Sequence, residues 1–359
     1  MTGARPTPYL VPRPVRGRIA RPQPLGLPVI NMGFNELPDP PTPAVAAAIA
    51  GRAATLGSYG DPGCDAVRAA LGATWGLDPD RLICGNGSEE LLDVIARVFV
   101  RAGDEIVVSQ FGYIQFALTA HRLGARLRSA PETDLRTDTD ALLATITPAT
   151  RLVFLANPNN PTGTYLDRDE LRRLHRGLRD DILLVIDSAY AEYVTADDYG
   201  AGEELVREAE NVVMVRTFSK IGLAALRIGW MFGSERTVDA VNRLRGPFNV
   251  SLPAQIAGEA AARDVEFIAG LRAHNDTWRR WLSTELAGNS IRVVPSQGNF
   301  ILALFADGTR ARKANEELLA NGLVVREMTS YGLENGLRIS IGRKNAMRAL
   351  AGVLTGLDL

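Results

Sequence analysis

Short apolar runs recur along the chain at 82–84, 105–109, 152–156, 183–186, 212–216 and 229–232. Between them, from about residue 59 to 245, apolar positions fall at helical spacing, as in Leu91, Leu92, Val94, Ile95 and Val98. Unbroken apolar runs read as strands buried on both faces, and their alternation with helices predicts an α/β fold built on a mostly parallel sheet. The segment Gly246-Pro247-Phe248-Asn249-Val250 breaks that rhythm. A helix from Pro253 then bridges to a second region with strands expected at 291–294, 299–303, 323–326 and 337–341, a smaller α+β domain. Residues 1–30 read as an irregular arm, and 43–51 begins a helix. The expected division is an N-terminal arm (1–42), a large domain (43–252), and a bridging helix with a small C-terminal domain (253–359).

Charge narrows the partners. Forty Lys and Arg against 41 Asp and Glu leave a net charge of −1, so no nucleic-acid or acidic-membrane partner is implied. No apolar stretch is long enough to span a bilayer, and the basic, proline-rich start lacks the apolar core of a signal peptide. Cys64 and Cys84 are too few for a disulfide framework, and neither stands at metal-ligand spacing from His121, His175 or His274. No metal is expected. The charged stretch 167–181 reads as a solvated amphipathic helix.

The chemistry gathers around Lys220, in Arg216-Thr217-Phe218-Ser219-Lys220-Ile221-Gly222-Leu223 with Arg227 shortly after. A lysine attacks an aldehyde only as the free amine, which cationic neighbours and burial favour. Thr217, Ser219 and Arg227 supply what a phosphate needs. An aldehyde and a phosphate on one small molecule suggest pyridoxal phosphate. Three upstream segments support that choice over an ordinary loop lysine. Asn157-Pro158-Asn159-Asn160-Pro161-Thr162-Gly163 ends a strand and offers the Asn160 amide to a cofactor ring oxygen, with an X-Pro bond at 161 able to be cis. Asp187 closes the apolar run 182–186, where a carboxylate could keep a pyridine nitrogen protonated; alone, it reads equally as a helix cap. Gly85-Asn86-Gly87-Ser88-Glu89-Glu90 starts a helix whose free N–H groups suit a phosphate, although no full dinucleotide or Walker fingerprint is present.

With Asn160-Pro161-Thr162-Gly163, Asp187-x-Ala189-Tyr190 and Ser219-Lys220 in that order, the chain resembles the fold-type I pyridoxal-phosphate enzymes of the class I/II aminotransferases. Within them it is most similar to the histidinol-phosphate aminotransferase family. The resemblance implies a seven-stranded-type sheet sandwiched by helices, and a cytoplasmic homodimer with shared sites. It also implies amino transfer from L-histidinol phosphate to 2-oxoglutarate, giving imidazole-acetol phosphate and L-glutamate in histidine biosynthesis. Lys220 would hold the cofactor aldehyde and act as general base, Asp187 would pair with the pyridine nitrogen, and Asn160 and Tyr190 would bond the ring oxygen. Tyr113 would stack on the ring, its alternative being a core aromatic. Gly87, Ser88, Glu89, Thr217, Ser219 and Arg227 would hold the phosphate, joined by Tyr59 from the neighbouring subunit. Arg338 would bind the substrate α-carboxylate, Arg326 the side-chain end, and Tyr9 and Asn299 would lie near the substrate. Asn35-Glu36-Leu37-Pro38 departs from the family's usual Asn-Glu-Asn-Pro, at the substrate mouth. An aromatic or other amino-acid aminotransferase, or an enzyme like threonine-phosphate decarboxylase, would share the cofactor residues.

Overall fold

The computed structural model describes residues 28–37, 39 and 41–357. Seven strands form one sheet: Leu82–Gly85 (β1), Glu105–Ser109 (β2), Arg126–Ala130 (β3), Thr150–Ala156 (β4), Leu183–Asp187 (β5), Val212–Thr217 (β6) and Gly229–Phe232 (β7). Their order is β1-β7-β6-β5-β4-β2-β3, with β7 alone antiparallel to its neighbours. Successive side chains in a strand point to opposite faces, so the apolar runs feed two cores. Leu184, Ile186, Val212 and Met214 pack into one, and Leu183, Val185, Val213 and Val215 into the other. That double burial is why these strands read as unbroken apolar runs.

One strand escaped the sequence pattern. β3, Arg-Leu-Arg-Ser-Ala, lies at the sheet edge with most of its residues in contact with water. An edge strand tolerates charge and so lacks the apolar signature.

A second sheet of four strands, Arg292–Val294, Phe300–Leu304, Arg326–Met328 and Leu333–Ser340, is antiparallel throughout. The helices Val265–Ala287, Gly308–Ala320 and Lys344–Thr355 cover it through Leu282, Leu318 and Leu350. The single strand expected at 323–326 is two strands in two sheets. Leu323–Val324 pairs in parallel with Ile30–Asn31, and only Arg326–Met328 joins the four-stranded sheet. Val325 between them is buried against the helices, so the apolar run continues although the pairing changes. The helix expected from Pro253 is Leu252–Arg263 with proline in its first turn, and Asp264 then caps the long helix Val265–Ala287.

Residues 28–37 lie along this second region. Met32 N–H donates to the Val324 carbonyl, Ser340 N–H to that of Met32, and Asn35 N–H to Ser340 Oγ. Residues 1–27 of the expected arm, including Tyr9, lie outside the described residues.

Candidate active site

A cavity of about 560 Å³ opens beyond the carboxyl ends of β4, β5 and β6, facing Arg326 and Arg338 of the four-stranded sheet. Parallel α/β sheets place ligands at this edge, where the chain leaves each strand in a loop free to carry chemistry.

Lys220 ends the short turn Phe218–Lys220 directly after β6. Thr217 shapes that turn: its Oγ1 accepts from Ser219 N–H at 3.1 Å and donates to Ser219 Oγ at 3.0 Å. The Tyr193 hydroxyl donates to the Lys220 carbonyl and fixes the turn from below. The ammonium lies 5.8 Å from the centre of the Tyr190 ring and makes no hydrogen bond among the described residues. Burial first, then the positive charges of Arg338 and Arg227, lowers its pKa to about 8, against the opposing pull of Glu36 and Asp187.

Asp187 ends β5 and accepts from Ala189 N–H at 3.2 Å. Burial pushes its carboxyl up to about 7, opposed by that N–H and by Lys220. Ala189, Tyr190 and Phe300 pack together beside it. Burial also lifts the Tyr190 phenol to about 12, and its oxygen accepts from Asn35 Nδ2 at 2.9 Å.

The phosphate-sized corner is built from backbone. β1 runs into Gly87, which has φ +78° and starts the helix Ser88–Phe99 with no side-chain cap, so the first-turn N–H groups stay open. Arg227, itself at φ +55°, reaches over this corner. Its Nη1 donates to Ser219 Oγ at 3.3 Å and its Nη2 lies 3.8 Å from Glu89 Oε2. A Cβ at Gly87 would come within 2.7 Å of the guanidinium. A Cβ at Gly229 would meet the Ser88 nitrogen at 2.5 Å. Backbone crowding excludes a larger residue at Gly229, and at Gly87 the left-handed backbone makes any side chain strained.

The far wall is cationic. Arg338 Nη1 donates to Asn160 Oδ1 at 2.5 Å and Nη2 to the Gly33 carbonyl at 2.7 Å, while its buried Nε has no partner. Arg326 stands directly opposite Arg338 across the strand pair. The peptide bonds before Pro158 and Pro161 are both cis. Tyr113 is half-buried at the start of helix Ile114–Leu123, its hydroxyl donating to Glu89 Oε1 at 3.1 Å and its ring edge-on to Phe116.

Two expected residues stand apart. Tyr59 is 82% exposed and stacks on Phe248, 4.6 Å between ring centres, away from this cavity. Asn299 lies one layer behind the wall: its Nδ2 donates to the Asn35 carbonyl, and it borders a neighbouring cavity of about 290 Å³. Asn35 lies in the motif expected at the substrate mouth, whereas Tyr331, Phe34, Ile114 and Met328 join the cavity without having been singled out in the sequence. Tyr331 ties the two regions together, its hydroxyl accepting from Ile114 N–H at 3.3 Å. It sits on the short turn Thr329–Tyr331, and Thr329-Ser330-Tyr331-Gly332 carries no chemical signal of its own.

These residues fit pyridoxal phosphate. Open N–H groups, Ser219 and Arg227 meet a phosphate, a buried carboxyl short of a cation meets a pyridine nitrogen, and an unpaired amine meets an aldehyde. Among the described residues no group of His, Cys, Asp and Glu converges to hold a metal, and no helix is long and apolar enough to cross a membrane.

Residues 28–354 match the family model for aminotransferase class I and II. A histidinol-phosphate aminotransferase from Rhodopseudomonas palustris (strain BisB18) is 46% identical over 338 residues, 93% of this chain and 92% of the relative. One from Rhodospirillum rubrum is 47% identical over 328 residues, 91% and 89% of the two chains. The crystal structure of histidinol-phosphate aminotransferase from Sinorhizobium meliloti with pyridoxal-5'-phosphate superposes with a TM-score of 0.91 at 30% identity, over 99% of this chain and 97% of that one. An Escherichia coli protein described as having a methionine aminotransferase function matches at 0.86 with 19% identity, a likeness of fold alone. The chain therefore belongs to the class I and II aminotransferases, pyridoxal-phosphate-dependent enzymes, and falls with their histidinol-phosphate aminotransferases.

Proposed function

We propose that the enzyme moves the amino group of L-histidinol phosphate to 2-oxoglutarate, working as a cytoplasmic homodimer. The opposition of Arg326 and Arg338 carries this reading. Like charges directly across a strand pair destabilise it, so two guanidiniums held there favour a doubly charged anion between them. A phosphate ester meets that demand in one half-reaction and a dicarboxylic keto acid in the other. A neutral aromatic donor leaves Arg326 without an anion in its own half-reaction.

Pyridoxal phosphate, when bound, supplies an electron sink for the pair released from the substrate Cα–H bond. Arg227, Ser88, Ser219 and the open helix start hold its phosphate, with Gly87 and Glu89 shaping the corner and Thr217 bracing Ser219. Asp187 would pair with the ring nitrogen, Asn160 and Tyr190 would bond the ring oxygen, and Tyr113 would stack on the ring. Lys220, whose lowered pKa keeps a usable share of free amine near neutral pH, would take the Cα proton and hand it back on the far side of the amine nitrogen, two atoms along. Arg338 orients the α-carboxylate of glutamate as a bidentate partner, and Arg326 takes the substrate phosphate. Asn299 positions Asn35 behind the donor, and Tyr9 is assigned to the substrate mouth on resemblance alone.

The homodimer rests on Tyr59. Its exposed stack with Phe248 is an apolar surface suited to a second copy, whose cofactor phosphate Tyr59 would reach. The cytoplasm suits the unpaired thiols of Cys64 and Cys84.

Glutamate formation from 2-oxoglutarate with a panel of donors tests the reading. L-histidinol phosphate is expected to exceed L-phenylalanine by about 100-fold or more in kcat/KM. Equal values, or carbon dioxide release without a keto acid, would contradict it.

A further inference from the structure

Three carboxylates line the large cavity: Asp187, Glu89 and Glu36. Asp187 faces Lys220 and the Ala189 N–H, and Glu89 is engaged by Arg227 and the Tyr113 hydroxyl. Glu36 has no hydrogen-bond or ion-pair partner among the described residues. An unpaired carboxylate on an open surface is ordinary. This one belongs to the segment pinned by Arg338 on the Gly33 carbonyl and by Ser340 Oγ on Asn35, so its backbone is held at the cavity wall. It also lies within electrostatic reach of Lys220.

The cavity that it lines also carries an apolar and partly aromatic set, Phe34, Ile114, Met328 and Tyr331. The four cations of the cavity, Lys220, Arg227, Arg326 and Arg338, all have anionic or carbonyl duties in the proposed reaction. Nothing in that set answers a cationic or N–H-bearing group on the substrate. A flat ring placed among these side chains finds one strong acceptor.

We infer that Glu36 is a specificity-determining residue, accepting a hydrogen bond from a ring N–H of a nitrogen-heterocyclic amine donor. The inference rests on the proposed donor and deepens it, since it assigns the imidazole a partner that a phenyl ring could not use. It also separates the two half-reactions. A fixed negative charge attracts an imidazole that can carry a proton, and repels the side-chain carboxylate of glutamate or 2-oxoglutarate.

The test uses the holoenzyme and its Glu36→Ala and Glu36→Gln variants. Three ligands are compared: L-histidinol phosphate, its phenyl analogue 2-amino-3-phenylpropyl phosphate, and 2-oxoglutarate. Glu36→Ala is expected to raise KM for histidinol phosphate by about 10- to 100-fold, the usual cost of losing a charge-assisted hydrogen bond. Glu36→Gln should recover part of that loss, because its amide oxygen still accepts. KM for the phenyl analogue should hold, and KM for 2-oxoglutarate should hold or fall. Equal weakening of both phosphate donors and of the keto acid would mean a structural role and overturn the inference, as would an unchanged KM for histidinol phosphate. Wild-type enzyme that accepts glutamate but neither phosphate would instead remove the proposed donor, and the inference with it.

Discussion

The two ends of the cavity are built differently. The cofactor end rests on the termini of adjacent strands in one sheet: Asn160 follows β4, Asp187 ends β5, Thr217 ends β6, and Lys220 follows it. Each is placed by a few residues of its own loop. The substrate end is assembled from two regions far apart in sequence: 33–36 and the adjoining strands of Arg326 and Arg338. Local scaffolding makes the first a fixed device common to many reactions. Long-range assembly makes the second open to change, and there the choice of substrate lies.

The first way to test that contrast is to break the fixed end. Lys220→Ala should lower turnover by about 10⁴-fold or more while some cofactor remains bound through the phosphate corner, read by steady-state assay and cofactor content. Near-normal turnover would mean that Lys220 is not the base. Asp187→Ala should cost about 10²- to 10³-fold in kcat with every donor alike, because it acts on the cofactor and not on the substrate.

At the substrate end the effects should divide by ligand. Arg338→Lys should lower kcat/KM for L-glutamate by about 100-fold, since an ammonium cannot reproduce two parallel hydrogen bonds. Arg326→Ala should fall hardest on histidinol phosphate. The ends also communicate. Free amine is the deprotonated form, so with a pKa near 8 the rate of pyridoxal phosphate uptake by the apoprotein should climb with pH through about 8, well below the ordinary lysine range. Arg338 is the leading charge that lowers this pKa, and Arg338→Ala should move the inflection upward. An unmoved inflection would show the two ends to be electrostatically independent.

The smallest effect is expected at Tyr59. Tyr59→Phe keeps the stack on Phe248 and removes one hydroxyl, so cofactor affinity should weaken only about 3- to 10-fold with the dimer intact, measured by cofactor titration and sedimentation.

The same contrast governs what could be read from sequence. Lys220, Asp187 and Asn160 were legible because a buried strand and its terminal turn occupy one short stretch, and the chemistry follows the apolar run directly. The strand at 126–130 was not, because an edge strand carries charge. Nor was the division of 323–326 between two sheets, since the apolar run continues through Val325 while only the pairing partner changes. Tyr331 gains its place through its contact to Ile114, and Asn35, although its motif was recognised, through contacts to Tyr190 and Ser340 that no local pattern encodes. Glu36 was visible within a departing motif, but its unpaired carboxylate could be seen only in the folded cavity.

The most direct measurement is a visible-absorbance titration of the cofactor-loaded enzyme, first with L-histidinol phosphate and then with 2-oxoglutarate. The account predicts that the donor bleaches the band of the lysine-bound cofactor and that the keto acid restores it, in stoichiometric amounts. A band that L-glutamate bleaches but L-histidinol phosphate leaves untouched would contradict the assignment of the substrate end while leaving the aminotransferase intact.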